Sequence, residues 1–300
     1  MARRRDIIVA VIIACSFIVV FGFMAMMFIG VASSDGDMSF GSLGGSVGVI
    51  PMFGLMEESS GRPVIEYLDR WKDNGSIKAI VVHVNSPGGG TAISQEIYDA
   101  ILRARDEKPV VVAMAEVAAS GGYYIACAAD RIVANPGTLT GSIGTIMSFH
   151  TYEGILEKIG VGTETIKSGK FKDVGDYSRQ MTTQEALMLR AVVMDGYEQF
   201  VGAVAEGRGM ELEEVYAVAD GSIFTGLQAQ NLGLVDTLGG LNTAVNVAAN
   251  LAGVDEEPDI VRPRQRRRSY WADLLTGFLG DLGQRMDEGS SGPRLMYLYQ

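Results

Sequence analysis

From Ile7 to Ala32 the sequence runs 26 residues without a charged side chain, more than the roughly 20 apolar residues that cross a bilayer core. A run of that length predicts a transmembrane anchor over 7–32. It also outlasts the apolar part of a cleavable signal, about 7 to 15 residues, so an uncleaved anchor is expected in preference to a cut near Val31-Ala32-Ser33. Arg3, Arg4 and Arg5 precede the run, and Asp35 and Asp37 follow it. The positive flank stays on the cytoplasmic side. This gives a cytoplasmic segment over 1–6 and an extracytoplasmic domain, held to the cell membrane by a single pass. Residues 33–46, rich in Gly, Ser and Asp, read as a flexible linker.

The remainder is long enough, and at 47% hydrophobic over the whole chain apolar enough, to bury a sizeable core. Short β-rich apolar runs alternate with helix-length amphipathic runs, the pattern of an α/β domain. Strands are expected at 47–51, 77–84, 110–114, 131–134 and 143–149. Helices are expected at 62–73, 91–105, 121–129, 211–219, 225–231 and 243–251. Thr182 with Glu185 forms a possible capping box that opens a long helix to about Glu206. The domain is bounded at 47–252. A charged and amphipathic tail follows over 253–300, in which Trp271, Leu274, Leu275, Phe278, Leu282 and Met286 share one face of a possible helix. The net charge of −11 is concentrated on the domain, because arginines cluster at both ends of the chain. An acidic surface repels phosphate backbones, which argues against nucleic-acid partners. Cys15 and Cys127 do not suggest a disulfide. With two histidines and no Cys-x-x-Cys or His-Glu-x-x-His motif, no metal or cofactor is expected.

Three small-residue turns follow strands: Asn85-Ser86-Pro87-Gly88-Gly89-Gly90, Ala118-Ala119-Ser120-Gly121-Gly122 and Thr140-Gly141-Ser142-Ile143-Gly144. Glycine lets backbone N–H groups approach a ligand closely, which suits an oxyanion hole. Ser120 stands between a strand and a short helix, where a nucleophile is exposed on a sharp turn. The N–H of Gly121 can point at the same carbonyl as an N–H from Gly89. A serine nucleophile needs a base. His83 lies in the apolar run Val81-Val82-His83-Val84 and reads as a core or edge residue, and His150 follows a strand. A lysine is the other option, since Ser-Lys pairs are a variant of the serine-protease constellation. It must be neutral, which burial achieves by lowering a pKa that is ordinarily about 10.4. Lys167, Lys170 and Lys172 are candidates, and composition does not choose among them.

Together with Ser168-Gly169-Lys170-Phe171-Lys172-Asp173, Ala219-Asp220-Gly221 and 226–238, these turns resemble the signal peptide peptidase A (protease IV) family over residues 47–251. The resemblance implies Ser120 as nucleophile, Lys172 as general base, Ser142 as the residue that orients the lysine, and Gly89 and Gly121 as oxyanion donors. It implies the Clp protease and crotonase fold, a spiral of ββα units, assembled as a homo-oligomer with active sites at or near subunit interfaces. In short single-domain members of the type this chain resembles, serine and lysine can come from adjacent subunits. The expected function is a membrane-anchored serine endopeptidase that degrades signal peptides left after preprotein processing. The alternatives are a related membrane-bound Ser-Lys protease acting on stomatin-like or misfolded membrane proteins, a crotonase-type acyl-CoA enzyme, and an inactive scaffold.

Overall fold

In the computed structural model, which describes residues 46–255, 257–263 and 296–298, strands and helices alternate to build one mixed sheet with helices on both faces. The chain runs β1 (Ser46–Phe53), α1 (Glu58–Lys72), β2 (Ile77–Ser86), β3 (Gly88–Gly90), α2 (Thr91–Arg105), β4 (Val110–Ala119) and α3 (Gly121–Ala126). It continues through β5 (Arg131–Ala134), β6 (Leu139–Gly141), α4 (Glu153–Lys158), α5 (Thr183–Arg208), α6 (Leu212–Tyr216) and β7 (Ile223–Thr225). Then come α7 (Gly226–Asn231), β8 (Thr237–Leu238), α8 (Leu241–Leu251), β9 (Asp259–Val261) and β10 (Met296–Leu298).

The sheet order is β7-β6-β4-β2-β1-β9, with β5 branching from β4 to β8. β1, β2 and β4 are parallel, and their continuous Val/Ile runs are those of strands covered on both faces. On one face Ile80, Val82 and Val84 meet Leu68 and Trp71 of α1 and Ile97 and Ile101 of α2 in one buried cluster. On the other, Val49, Val81 and Val111 pack on Ala244, Val245 and Ala248 of α8. β4 is long enough to hold two neighbours end to end: Val111–Met114 pairs with β5, and Val117–Ala119 with β6. That arrangement brings the turn after β6 beside the turn after β4.

Several expectations shift at their edges. β1, β2 and β4 extend beyond the expected bounds, α1 begins at Glu58 instead of 62, and Asp259–Val261 adds a strand to β1 beyond residue 252. One expectation is corrected outright: 143–149 is not a strand. The strand is Leu139–Gly141, because the exposed end of β4 and the antiparallel β7 offer it partners on both sides. Thr182 caps α5 as expected, its side chain accepting from Glu185 N–H while the Glu185 carboxylate accepts from Thr182 N–H. The expected anchor, linker and tail helix lie outside the described residues. Among the described residues no helix is long and apolar enough to cross a membrane.

Candidate active site

The three glycine-rich turns meet at the carboxyl ends of the parallel strands. β4 pairs Ala119 with Gly141 of β6, and Ser120 N–H donates to Gly141 C=O at 2.8 Å. Ser120 and Ser142 therefore follow directly from one register pair. They are also the two non-glycine residues with positive φ among those described, at 54° and 50°. Such backbone costs of order 1–3 kcal/mol and collects at functional sites. Ser120 caps α3 by its backbone, its C=O accepting from Tyr124 N–H at 2.8 Å, while its side chain caps nothing. Its Oγ is buried and has no hydrogen-bond partner, an arrangement native interiors avoid.

Gly121, the residue after Ser120, lies against Gly88 and Gly89. A Cβ on Gly121 would sit 2.8 Å from Ser94 Oγ, 3.2 Å from Gly88 Cα and 3.3 Å from Gly89 N. A Cβ on Gly89 would collide with the Met56 backbone. Only glycine lets the two backbones come this close. Asn85 and Ser86 hold the approach: Asn85 Oδ1 accepts from Val117 N–H at 3.1 Å, and Ser86 Oγ accepts from Gly88 N–H at 3.1 Å.

Ser142 is buried, and its N–H donates to Ser222 C=O at 2.7 Å. Ser222 N–H in turn donates to Asp220 Oδ1 at 2.9 Å, and hydrogen bonds from the Ser222 side chain first and its N–H next hold the carboxyl of Asp220 below its ordinary range. The Ala219-Asp220-Gly221 segment thus braces the Ser142 turn from about eighty residues downstream in sequence. Sequence reasoning noticed the segment without finding this role.

Lys172 is placed differently. It lies on an irregular turn, its N–H donating to Gly169 C=O at 3.1 Å, and its side chain is exposed. Among the described residues its ammonium has no hydrogen-bond or ion-pair partner. The burial expected of a lysine base is thus not supplied by the described residues of the chain. The turn itself is pinned. Asp173 pairs with Lys167 at 2.5 Å and with Arg179 at 3.1 Å, and Arg179 also pairs with Glu185 at 2.5 Å. The Arg179 guanidinium, then the Thr182 N–H, holds the Glu185 carboxyl down to about 2. Arg179 therefore ties the lysine-bearing turn to the first turn of α5.

The histidines do not serve Ser120, whose Oγ has no partner. His83 is half-buried in β2 with Phe53 edge-on at 5.2 Å, and burial lowers its pKa, helped by Arg262. His150 is exposed beside Asp176 and Arg179. Cys127 is buried and free, its thiol pushed up to about 12 by burial, which makes it inert. Two grooves of largely apolar lining adjoin the turns at Gly90 and Ser142, and Ser120 lines neither. One of about 530 Å³ runs past Gly90, Leu55, Met56 and Ile93, and another of about 620 Å³ past Ser142, Ile146, Met194 and Tyr197.

β10 pairs antiparallel with β3, so an extended segment of the chain lies along the Gly88–Gly90 strand. A buried, unpartnered serine hydroxyl on left-handed backbone, next to closely packed glycines and a strand edge that receives extended backbone, fits acyl transfer from a peptide.

Comparison with known proteins agrees with the family that the turn motifs resemble. The model of peptidase family S49 matches residues 103–255, and that of Clp protease matches 49–137. A Synechocystis protein named as a protease is 45% identical over 179 residues, covering 60% of this chain and 65% of that protein. An Enterococcus faecium protein named as a signal peptide peptidase is 39% identical over 184 residues, covering 61% of this chain and 54% of that protein. The chloroplastic serine protease SPPA of Arabidopsis thaliana is 34% identical over 216 residues, covering 71% of this chain and 32% of that protein. The chain thus spans less than two thirds of the length of each of these relatives. The fold is an α/β fold like that of Clp protease, with a mixed sheet.

Proposed function

This chain belongs to peptidase family S49, and we propose that it is a membrane-anchored serine endopeptidase in which Ser120 is the nucleophile and Lys172 the general base. The observation that carries this reading is the Ser120 hydroxyl: buried, without a partner, and set on left-handed backbone beside Gly121 and Gly89. Neutral Lys172 Nζ takes the proton from Ser120 Oγ, which bonds to the peptide carbonyl carbon. The oxyanion is held by the N–H groups of Gly89 and Gly121. The C–N bond then breaks, the amine leaves with the proton carried by Lys172, and an ester on Ser120 remains. Lys172 next takes a proton from water, whose hydroxide attacks the ester, and the proton returns to Ser120 Oγ as the acid product leaves. Ser142, braced by Ser222, would orient the lysine.

A lysine that works as a base has to be held out of water, and Lys172 is exposed in its own chain. The pair is therefore assigned to adjacent subunits of a homo-oligomer, with Lys172 of one copy reaching Ser120 of the next. Exposed apolar side chains along the segment that carries it, Ile155, Ile159, Ile166 and Leu187 among them, support burial against a neighbour. The uncharged run 7–32 supports the anchor, and the apolar grooves suit extended apolar peptides. Signal peptides are the proposed substrates, in keeping with the Enterococcus faecium relative's name.

Mixing two inactive variants tests the shared site. Ser120→Ala and Lys172→Ala, each without activity on a signal peptide, should regain cleavage when co-assembled, because some interfaces join an intact serine to an intact lysine. Co-assembled protein that stays inactive would contradict the shared arrangement.

A further inference from the structure

The two glycines assigned to the oxyanion stand on separate pieces of chain, Gly89 in strand β3 and Gly121 at the start of α3. Two N–H groups hold one oxyanion only when each lies about 2.7 to 3.1 Å from the point it will occupy, so the spacing of these pieces bears on the chemistry. One buried side chain touches both. Ser94 lies in the first turn of α2 and is fully buried. Its Oγ donates to Gly90 C=O at 2.8 Å and lies 3.5 Å from Met56 Sδ. Gly90 closes β3, and Met56 flanks the same strand, its N–H donating to Gly88 C=O at 2.8 Å and its C=O accepting from Gly90 N–H at 2.9 Å. The same Oγ is the nearest atom to the place a Cβ on Gly121 would take, at 2.8 Å, ahead of Gly88 Cα at 3.2 Å and Gly89 N at 3.3 Å. A serine that bonds back to the carbonyl four residues earlier slightly destabilises its helix. Helix stability therefore gives no reason for this hydroxyl.

We propose that Ser94 is a positioning residue for the peptidase reaction, its hydroxyl spacing Gly121 from the Gly88–Gly90 strand and so setting where the two N–H groups meet. This rests on the reading of Ser120 as the nucleophile, with Gly89 and Gly121 as oxyanion donors. Ser94 acts through Gly90 and Gly121, not on the substrate. The oxyanion forms only as the carbonyl is attacked, so a change in this spacing weakens binding of the transition state and leaves binding of the ground state alone. The effect appears in kcat. One atom also has opposite consequences in two backgrounds. In wild type the Ser94 Oγ holds the spacing, whereas in Gly121→Ala it is the nearest obstacle to the added methyl group. Deleting it harms the first and helps the second, which a residue needed only for stability would not do.

The test measures kcat and KM on a fluorogenic signal peptide for four full-length proteins: wild type, Ser94→Ala, Gly121→Ala and the double variant. Ser94→Ala is expected to lower kcat by about 10- to 10²-fold, the cost of a small misplacement, with KM unchanged. The double variant is expected to turn over several-fold faster than Gly121→Ala alone. Wild-type kcat in Ser94→Ala, a change confined to KM, or a double variant no faster than Gly121→Ala would overturn the proposal. If Ser94→Ala does not fold, Ser94→Cys decides, since it keeps an atom in place with a weaker donor: a fall in kcat at constant KM supports the proposal, and an unchanged kcat overturns it. Wild-type turnover by Ser120→Ala would instead remove the nucleophile assignment, and this proposal with it.

Discussion

Ser120 occupies backbone that an alanine or serine adopts at a cost and a glycine adopts freely. Its hydroxyl is buried with nothing to bond to. Both features oppose stability, and both are relieved by one substitution. Ser120→Gly is expected to raise the unfolding free energy by about 1 kcal/mol while abolishing peptide cleavage; chemical denaturation of the variant checks the first part. Gly121→Ala acts in the opposite sense. Its Cβ would press on Ser94, Gly88 and Gly89, displacing both oxyanion donors, so kcat should fall by about 10²- to 10³-fold, the cost of losing one such donor. An alanine variant with unchanged kcat would move the oxyanion hole elsewhere. The turns that carry the candidates Ser120, Gly89 and Gly121 were legible in the sequence because a small-residue turn between a strand and a helix has local signatures. Ser142 and Lys172 came only from resemblance to a family. The Asp220–Ser222 brace was not legible, because it depends on the distant pairing of β6 with β7.

Among the elements, the strand expected at 143–149 shows what periodicity leaves out. Ile143 is apolar because it is fully buried in the core, and Ile146 lines a groove with Val193 of α5; neither belongs to a strand of several residues. Leu139–Gly141, a three-residue strand, is too short to show a period of two and is defined by its partners alone. By contrast the α5 cap was readable, since Thr182 and Glu185 satisfy each other's backbone within one turn. That cap also anchors the lysine-bearing turn through Arg179. Arg179→Ala is expected to lower kcat more than it changes KM, with partial rescue by Arg179→Lys, because the turn then loses its tie to α5. The Glu185 carboxyl, held near 2 by Arg179 first and Thr182 next, contributes stability that is complete above its ordinary value of 4.5. That contribution is lost as pH falls from 4.5 towards 2, while the carboxylate takes up its proton. Hydrogen exchange of the 173–185 backbone across this range should show opening in wild type on acidification. In Arg179→Ala the opening should already be present at neutral pH.

For the whole molecule, the described residues hold a proposed nucleophile, Ser120, whose hydroxyl has no partner, and a proposed base, Lys172, whose side chain is exposed. Ile166, before the lysine-bearing turn, is 96% exposed and Leu187, in the first turns of α5, is 62% exposed, and the proposed subunit contact would cover them. Leu187→Glu is expected to shift sedimentation of the detergent-solubilised protein towards the monomer and to lower kcat in parallel. Unaltered sedimentation would show that this surface is not the subunit contact. The long parallel strands β1, β2 and β4, strand β5 and most of the helices were foreseeable from local pattern, while the short strands were not. An environment that would bury Lys172 was not foreseeable either, because no described stretch of the same chain covers it.

Cleavage of a signal peptide by purified full-length protein, compared among wild type, Ser120→Ala and Lys172→Ala, tests the Ser-Lys assignment most directly. Both variants should lose at least about 10³-fold in kcat, as residues that act as one catalytic unit do. Loss with Ser120→Ala alongside wild-type turnover by Lys172→Ala would contradict it.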